Sequence, residues 1–273
     1  AHWQNGHKEY HKVQKERAVA SRKGTLFDGE LSVAEEVARD AERTGNEFNK
    51  RGAAALALGA KGDYNAAAKA WRKMIKEWPD EPGPYHNLAV VLDRADRVAE
   101  AAPFYLKAME LDEEGTNRWA LSVASAFDLL RLKRCREVPK PAWWNDEGLK
   151  ALSARVVAAR GEVHDPVHDP KTRGMRADVL CGHALGLASW RAGPRMAAEI
   201  KEAATWYRRA ALLTRTPADK LLYERAASQC DEVADPVLAE EEAEAAKVRA
   251  AAKAEAAEAL KLAEAKALAA AEE

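Results

Sequence analysis

An all-α protein, built as an α-solenoid of helical hairpins with a long C-terminal helix, is the fold expected of this 273-residue chain. Three observations lead there. Alanine occurs 60 times and 32% of the residues are charged, a composition that favours helices. Only 7% are aromatic, and the Val-, Ile- and Thr-rich runs that strands need are scarce. The third observation is an internal repeat at an offset of 34 residues, with apolar positions at helical spacing inside each unit.

The repeat is read from pairs that keep their size class. Ala55 and Ala89, Leu58 and Leu92, Ala67 and Ala101, and Trp71 and Tyr105 are each 34 apart, and Tyr85 with Trp119 carries the register into a third unit. Each unit holds two apolar stretches, broken at Gly62-Asp63 or Ala95-Asp96. Pro79 closes the first unit, and Pro82 and Pro84 suit the first turn of the next helix. Ala55, Ala67, Ala89 and Ala101 are expected where the two helices of a hairpin cross. Leu58, Trp71, Leu92 and Tyr105 are expected between neighbouring hairpins. No hairpin buries its apolar face alone, so the units must stack.

Residues 41–115 therefore resemble two tetratricopeptide repeats, at 48–79 and 82–113. The resemblance rests on Gly62-Asp63-Tyr64, on the Ala67/Trp71 and Ala101/Tyr105 pairs, and on Tyr85-x-x-Leu88-Ala89-x-x-Leu92. It implies a peptide-binding groove lined by the first helix of each hairpin. Those positions hold Asn49 and Gly52 in the first unit, and His86, Asn87, Val90, Asp93 and Arg94 in the second. In the third they hold Asn117, Ala120, Ala124 and Asp128. One subclass of the family clamps chaperone C-terminal carboxylates with cations and asparagines. At its positions this chain has Asn49, Ala53, Asn87, Asn117 and Leu121, so only Asn87 matches and no such clamp is expected.

Residues 116–234 read as degenerate repeats. A third first-helix spans 116–132, but 134–148, with Pro139, Pro141, Trp143 and Trp144, reads as an inserted loop with aromatic anchors. A helix resumes over 149–160, a degenerate hairpin follows at 176–190 and 195–213, and 221–233 is a closing helix. Trp71, Trp78, Trp119, Trp190 and Trp206 fall at core positions. Trp143 and Trp144 are the better surface anchors, although a staple for the loop is the favoured reading. Residues 235–273 are almost only Ala, Glu, Lys, Leu, Val and Arg, a solvated helix leaving the domain. Leu260, Leu262 and Leu268 give it a weak coiled-coil seam, and self-association there is an open alternative.

At the other end, residues 1–23 resemble the last helix of a MYND-type zinc finger, through His2-Trp3 and Gly6-His7-Lys8. The resemblance makes His7 a zinc ligand and places His11 where that family has its final cysteine. Two ligands four apart share one helix face, half of a tetrahedral site. The finger's cysteine pairs would precede Ala1, and Cys135, Cys181 and Cys230 show no C-x-x-C spacing to replace them. Zinc is thus expected only in a longer product.

The remaining features exclude more than they assign. The formal net charge is −1, so no global basic field calls for nucleic acid or anionic lipid. No apolar run reaches the ~18 residues of a membrane span. Three scattered cysteines point to a reducing compartment, cytoplasm or nucleus. The tandem His164-Asp165-Pro166 and His168-Asp169-Pro170 is read as a solvated turn, and no phosphate loop or hydrolase motif occurs, so no enzyme is expected. The expected function is a scaffold or adaptor for a protein or peptide partner. A regulatory relative of MYND-containing methyltransferases and a purely structural helical array are the alternatives.

Overall fold

The computed structural model describes residues 28–160, 169–182, 190, 192–214 and 216–271. Among these there are ten α-helices, one short 3-10 turn and no strand. The helices are α1 (Asp28–Thr44), α2 (Glu47–Ala60), α3 (Tyr64–Glu77), α4 (Pro82–Arg94), α5 (Val98–Leu111), α6 (Asn117–Leu130), α7 (Asp146–Arg160), α8 (Asp169–Cys181), α9 (Ala197–Leu213) and α10 (Pro217–Ala271). Each packs on the next, and α2 also reaches α4, as α6 reaches α8. The result is a two-layer array with α2, α4, α6 and α8 in one layer. Ion pairs join members of the other layer: Arg72 to Glu100 between α3 and α5, and Lys150 to Glu199 at 2.5 Å between α7 and α9.

Local chemistry starts the helices. The side chains of Asn46, Asp63 and Thr116 accept the backbone N–H of Asn49, Ala66 and Trp119 at 3.2, 3.0 and 3.2 Å. Pro82 and Pro84 lie buried in the first turn of α4, where a missing N–H costs nothing.

The turn inside each hairpin repeats bond for bond. Lys61, Gly62 and Asp63 donate to Ala57, Gly59 and Leu58; 34 residues later Ala95, Asp96 and Arg97 donate to Val91, Asp93 and Leu92. The middle residue is left-handed both times, Gly62 at φ +83° and Asp96 at φ +64°. The third unit begins the same turn, with Arg131 bonded to Phe127 and Leu132 to Leu129. Leu132, however, is extended, at φ −72° and ψ 142°. A leucine pays a steric cost in the left-handed region that Gly and Asp bear better, so the reversal fails. The chain takes a 3-10 turn at Lys133–Cys135 and a proline-bearing loop, and α7 supplies the second-layer helix instead.

The alanines divide as their register requires. Ala55, Ala67, Ala89 and Ala101 have no exposed surface, and Trp71, Leu92 and Tyr105 are buried beside them; Leu58 is half-buried. One core lies around α2 to α6, a second around α6 to α8, and a third joins α8, α9 and α10. Trp143 and Trp144 bridge the first two, half-buried, with Trp144 against Phe127 at 5.8 Å and Trp190 at 6.2 Å. Adjacent tryptophans thus do share the packing, and the loop is a staple. Lys140 secures it by donating to the carbonyls of Leu130 and Cys135, both at 2.8 Å, at the end of α6.

Several boundaries differ from those read in the sequence. Helix α1 was not anticipated; it packs against α2. Helix α8 starts at Asp169 rather than at 176, so Asp169-Pro170 opens a helix, a place proline favours as readily as a turn. The closing helix and the charged tail are one helix, α10, which continues through Pro236. Its packed part reaches Ala234 and Val237, and 246–259 are exposed.

Candidate functional site

The second first-layer helix presents one open stripe. On α4, Leu88, Ala89, Val91 and Leu92 are buried, whereas His86, Asn87, Val90 and Asp93 are half-buried and Arg94 is exposed. Steps of four and seven residues from His86 place Val90 and Asp93 on one helix face, and Asn87, three residues before Val90, lies at its edge. That face continues onto α6 and α8 through a polar seam.

The seam runs across three successive helices of the layer. His86 Nδ1 lies 2.9 Å from Ser122 Oγ on α6, and its ring meets Tyr105 edge-on at 5.3 Å. Burial drives the Tyr105 phenol well above its ordinary value, reinforced by Asp93 and opposed by Ser125. From α8, Lys171 Nζ donates to Ser125 Oγ at 3.2 Å and pairs with Asp128 at 3.6 Å. Burial raises the Asp93 carboxyl above the usual carboxylate range; Lys171 opposes this and Asp128 reinforces it. The arrangement offers a partner two carboxylates, an ammonium and an imidazole within one stripe.

The preceding joint of the array lacks this equipment. In the 34-residue register, Tyr105 corresponds to Trp71, Ser125 to Val91, Asp93 to Gly59 and His86 to Gly52. Gly59 and Gly52 carry no side chain to project, and a Cβ on Gly52 would touch Trp71 at 3.8 Å. Trp71 Nε1 is buried without a partner among the described residues. The polar seam therefore begins at the second hairpin.

Of the residues read as groove-lining, the structure brings His86, Asp93 and Asp128 together, with Asn87 and Val90 on the same stripe. Asn49 is half-buried in the first turn of α2, where its N–H is held by Asn46. Asn117 is exposed at the start of α6, ~16 Å along the helix from Asp128. Gly52, Ala120 and Ala124 are buried in packing and do not line a surface. Ser122, Ser125 and Lys171 were missed; two serines three apart in a largely buried helix were the available signal.

A second polar chain lies deeper. Arg131, at the end of α6, pairs with Asp178 on α8, and Tyr207 on α9 donates to the same carboxylate at 2.5 Å. Burial raises the Asp178 carboxyl, and the Arg131 guanidinium opposes it.

His7 and His11 lie outside the described residues, as do His164, Asp165 and His168. Among the described residues no three His, Cys, Asp or Glu side chains are grouped to hold a metal ion, and Cys135, Cys181 and Cys230 are buried in helix packing. No helix among them is long and apolar enough to cross a membrane. Compared with known proteins, the chain matches no family model and no curated sequence. Fold and site together describe a class: stacked helical hairpins that carry an ordered polar stripe on one layer.

Proposed function

We propose that this chain is a protein-interaction module of the tetratricopeptide-repeat kind, which takes a peptide segment of its partner along α4, α6 and α8. The observation that carries this reading is the seam of His86, Asp93, Ser125, Asp128 and Lys171. It places charged and half-buried polar groups on a layer otherwise packed with alanine and leucine. A purely structural array has no need of a half-buried carboxylate whose ionised form is disfavoured. Peptide main chain and side chains would meet Asn87 and the two carboxylates in place of water. The N-terminal resemblance adds a zinc finger to the proposal, with His7 and His11 as two of its ligands.

The test is selection of a displayed library of random peptides against the whole chain, followed by affinity measurement on the enriched sequences. A tenfold or greater loss with Asp93→Ala or Asp128→Ala, and none with Arg208→Ala on the other layer, supports the reading. Failure to enrich any sequence, or equal affinities for all variants, overturns it.

A further inference from the structure

We propose that Cys181 and Cys230 form a redox-responsive pair, whose oxidation to a disulfide fastens α10 to α8. The Tyr223 side chain of α10 reaches α8 and fixes the register between them. Tyr223 on α10 donates to the Pro170 carbonyl on α8 at 3.2 Å, and its ring lies so close that a Cβ on Gly174 would sit 3.0 Å from the hydroxyl. Cys181 lies seven residues beyond Gly174, and Cys230 seven beyond Tyr223. Two turns onward along each helix, the cysteines thus face one another in the same register. Both are fully buried in the core that joins α8, α9 and α10, and the neighbouring Cys181 holds the Cys230 thiol above its ordinary value. Cys135 belongs to a different core, so no third thiol competes.

The pair is also wired to the rest of the array. Cys181 Sγ lies 3.6 Å from the Tyr207 hydroxyl, which donates to Asp178, the partner of Arg131 on α6. A change of state at Cys181 therefore reaches the layer that carries the polar stripe.

The chemistry balances with an oxidant of the peroxide class. The two thiols give up two protons and two electrons, an S–S bond forms, and hydrogen peroxide is reduced to two waters. A disulfide reagent would act through a mixed disulfide, which the second thiolate resolves. The neighbouring Cys181 and burial hold the Cys230 thiol in its protonated form. Reaction therefore proceeds when α8 and α10 part and a thiolate forms. Once closed, the bond spans a long loop of chain and raises resistance to unfolding. It fixes the root of the helix whose exposed length begins near residue 246.

The experiment treats the whole chain with hydrogen peroxide, and in parallel with diamide, then follows intact mass, peptide mapping and Tm. The expected result is loss of the mass of two hydrogens, a Cys181–Cys230 linked peptide, and a Tm raised by a few °C, all reversed by dithiothreitol. Cys135→Ser should respond identically; Cys181→Ala and Cys230→Ala, which avoid a buried hydroxyl, should form no intramolecular link. Oxygen added at either cysteine, links through Cys135, or thiols that stay reduced until the protein is unfolded would overturn the proposal.

Discussion

Arg195 and Asp146 meet in a two-pronged ion pair that ties the residues before α9 to the first turn of α7, with Nη1 to Oδ2 at 2.9 Å and Nη2 to Oδ1 at 2.5 Å. The arginine side chain is only 3% exposed, and it also donates to the Val179 carbonyl of α8 at 3.0 Å. Trp190 Nε1 donates to the same carboxylate at 3.3 Å. One guanidinium thus gathers α7, α8 and α9. Burial alone would raise the Asp146 carboxyl, but the hydrogen bonds from Arg195 and Trp190 outweigh it and bring the group down to about 2.

That shift sets a pH dependence. A carboxyl lower in the folded than in the unfolded chain contributes stability above its unfolded value of 3.8, and the contribution disappears as pH falls through about 2. The contribution is about 2 kcal/mol. Urea titrations between pH 2 and 6 should show it, and Asp146→Asn should remove that slope. Arg195→Met, which strands the carboxylate, should cost about 3–5 kcal/mol at neutral pH.

Gly62→Ala isolates the hairpin turn. A Cβ there would meet nothing within 4 Å, so the penalty of the left-handed backbone stands alone. Stability should fall by about 1–2 kcal/mol by chemical denaturation. Asp96→Gly, at the same place in the next hairpin, should stay within ~0.5 kcal/mol, since the Asp96–Arg134 pair it loses is exposed.

Alanines of the two kinds should respond oppositely to enlargement. Ala101→Leu forces three extra carbons into a helix crossing with no free surface, and should cost about 1–3 kcal/mol or more. Ala252→Leu, on the exposed length of α10, should change stability by no more than ~0.5 kcal/mol.

Asp93→Asn should stabilise the protein at neutral pH. Burial raises this carboxyl in the folded state, so the wild-type chain loses stability as pH rises above 3.8, where the unfolded chain ionises first. The neutral amide escapes that loss. The gain in Tm over wild type should be present at pH 7 and vanish toward pH 3. A residue kept at a cost to the fold is the signature expected of a binding surface.

Periodicity made part of this legible. Ala55, Ala67, Ala89 and Ala101 recur at the helix crossings, and His86, Asp93 and Asp128 fall on the open face, because both depend on spacing within a helix. Helix α1 escaped notice because, although it lies 34 residues before α3, it does not keep the size class of the repeat: Val33 and Val37 stand where α3 has Ala67 and Trp71. Leu132 shows why the third hairpin departs: one side chain unsuited to a left-handed turn redirects the chain, and beyond it no register remains to extrapolate. Lys171 escaped for that reason. It reaches Ser125 across 46 residues of degenerate sequence, and its contact depends on how α8 stacks, which no local pattern encodes.

The layer of α4, α6 and α8 is proposed to receive the partner. Hydrogen exchange on the whole chain, with and without a peptide enriched from the library, tests it most directly. Exchange should slow in α4, α6 and α8 around Asn87, Asp93, Ser125 and Lys171, with α3, α5 and α9 unchanged. Protection confined to α3, α5 and α9, or to the exposed length of α10, would contradict it.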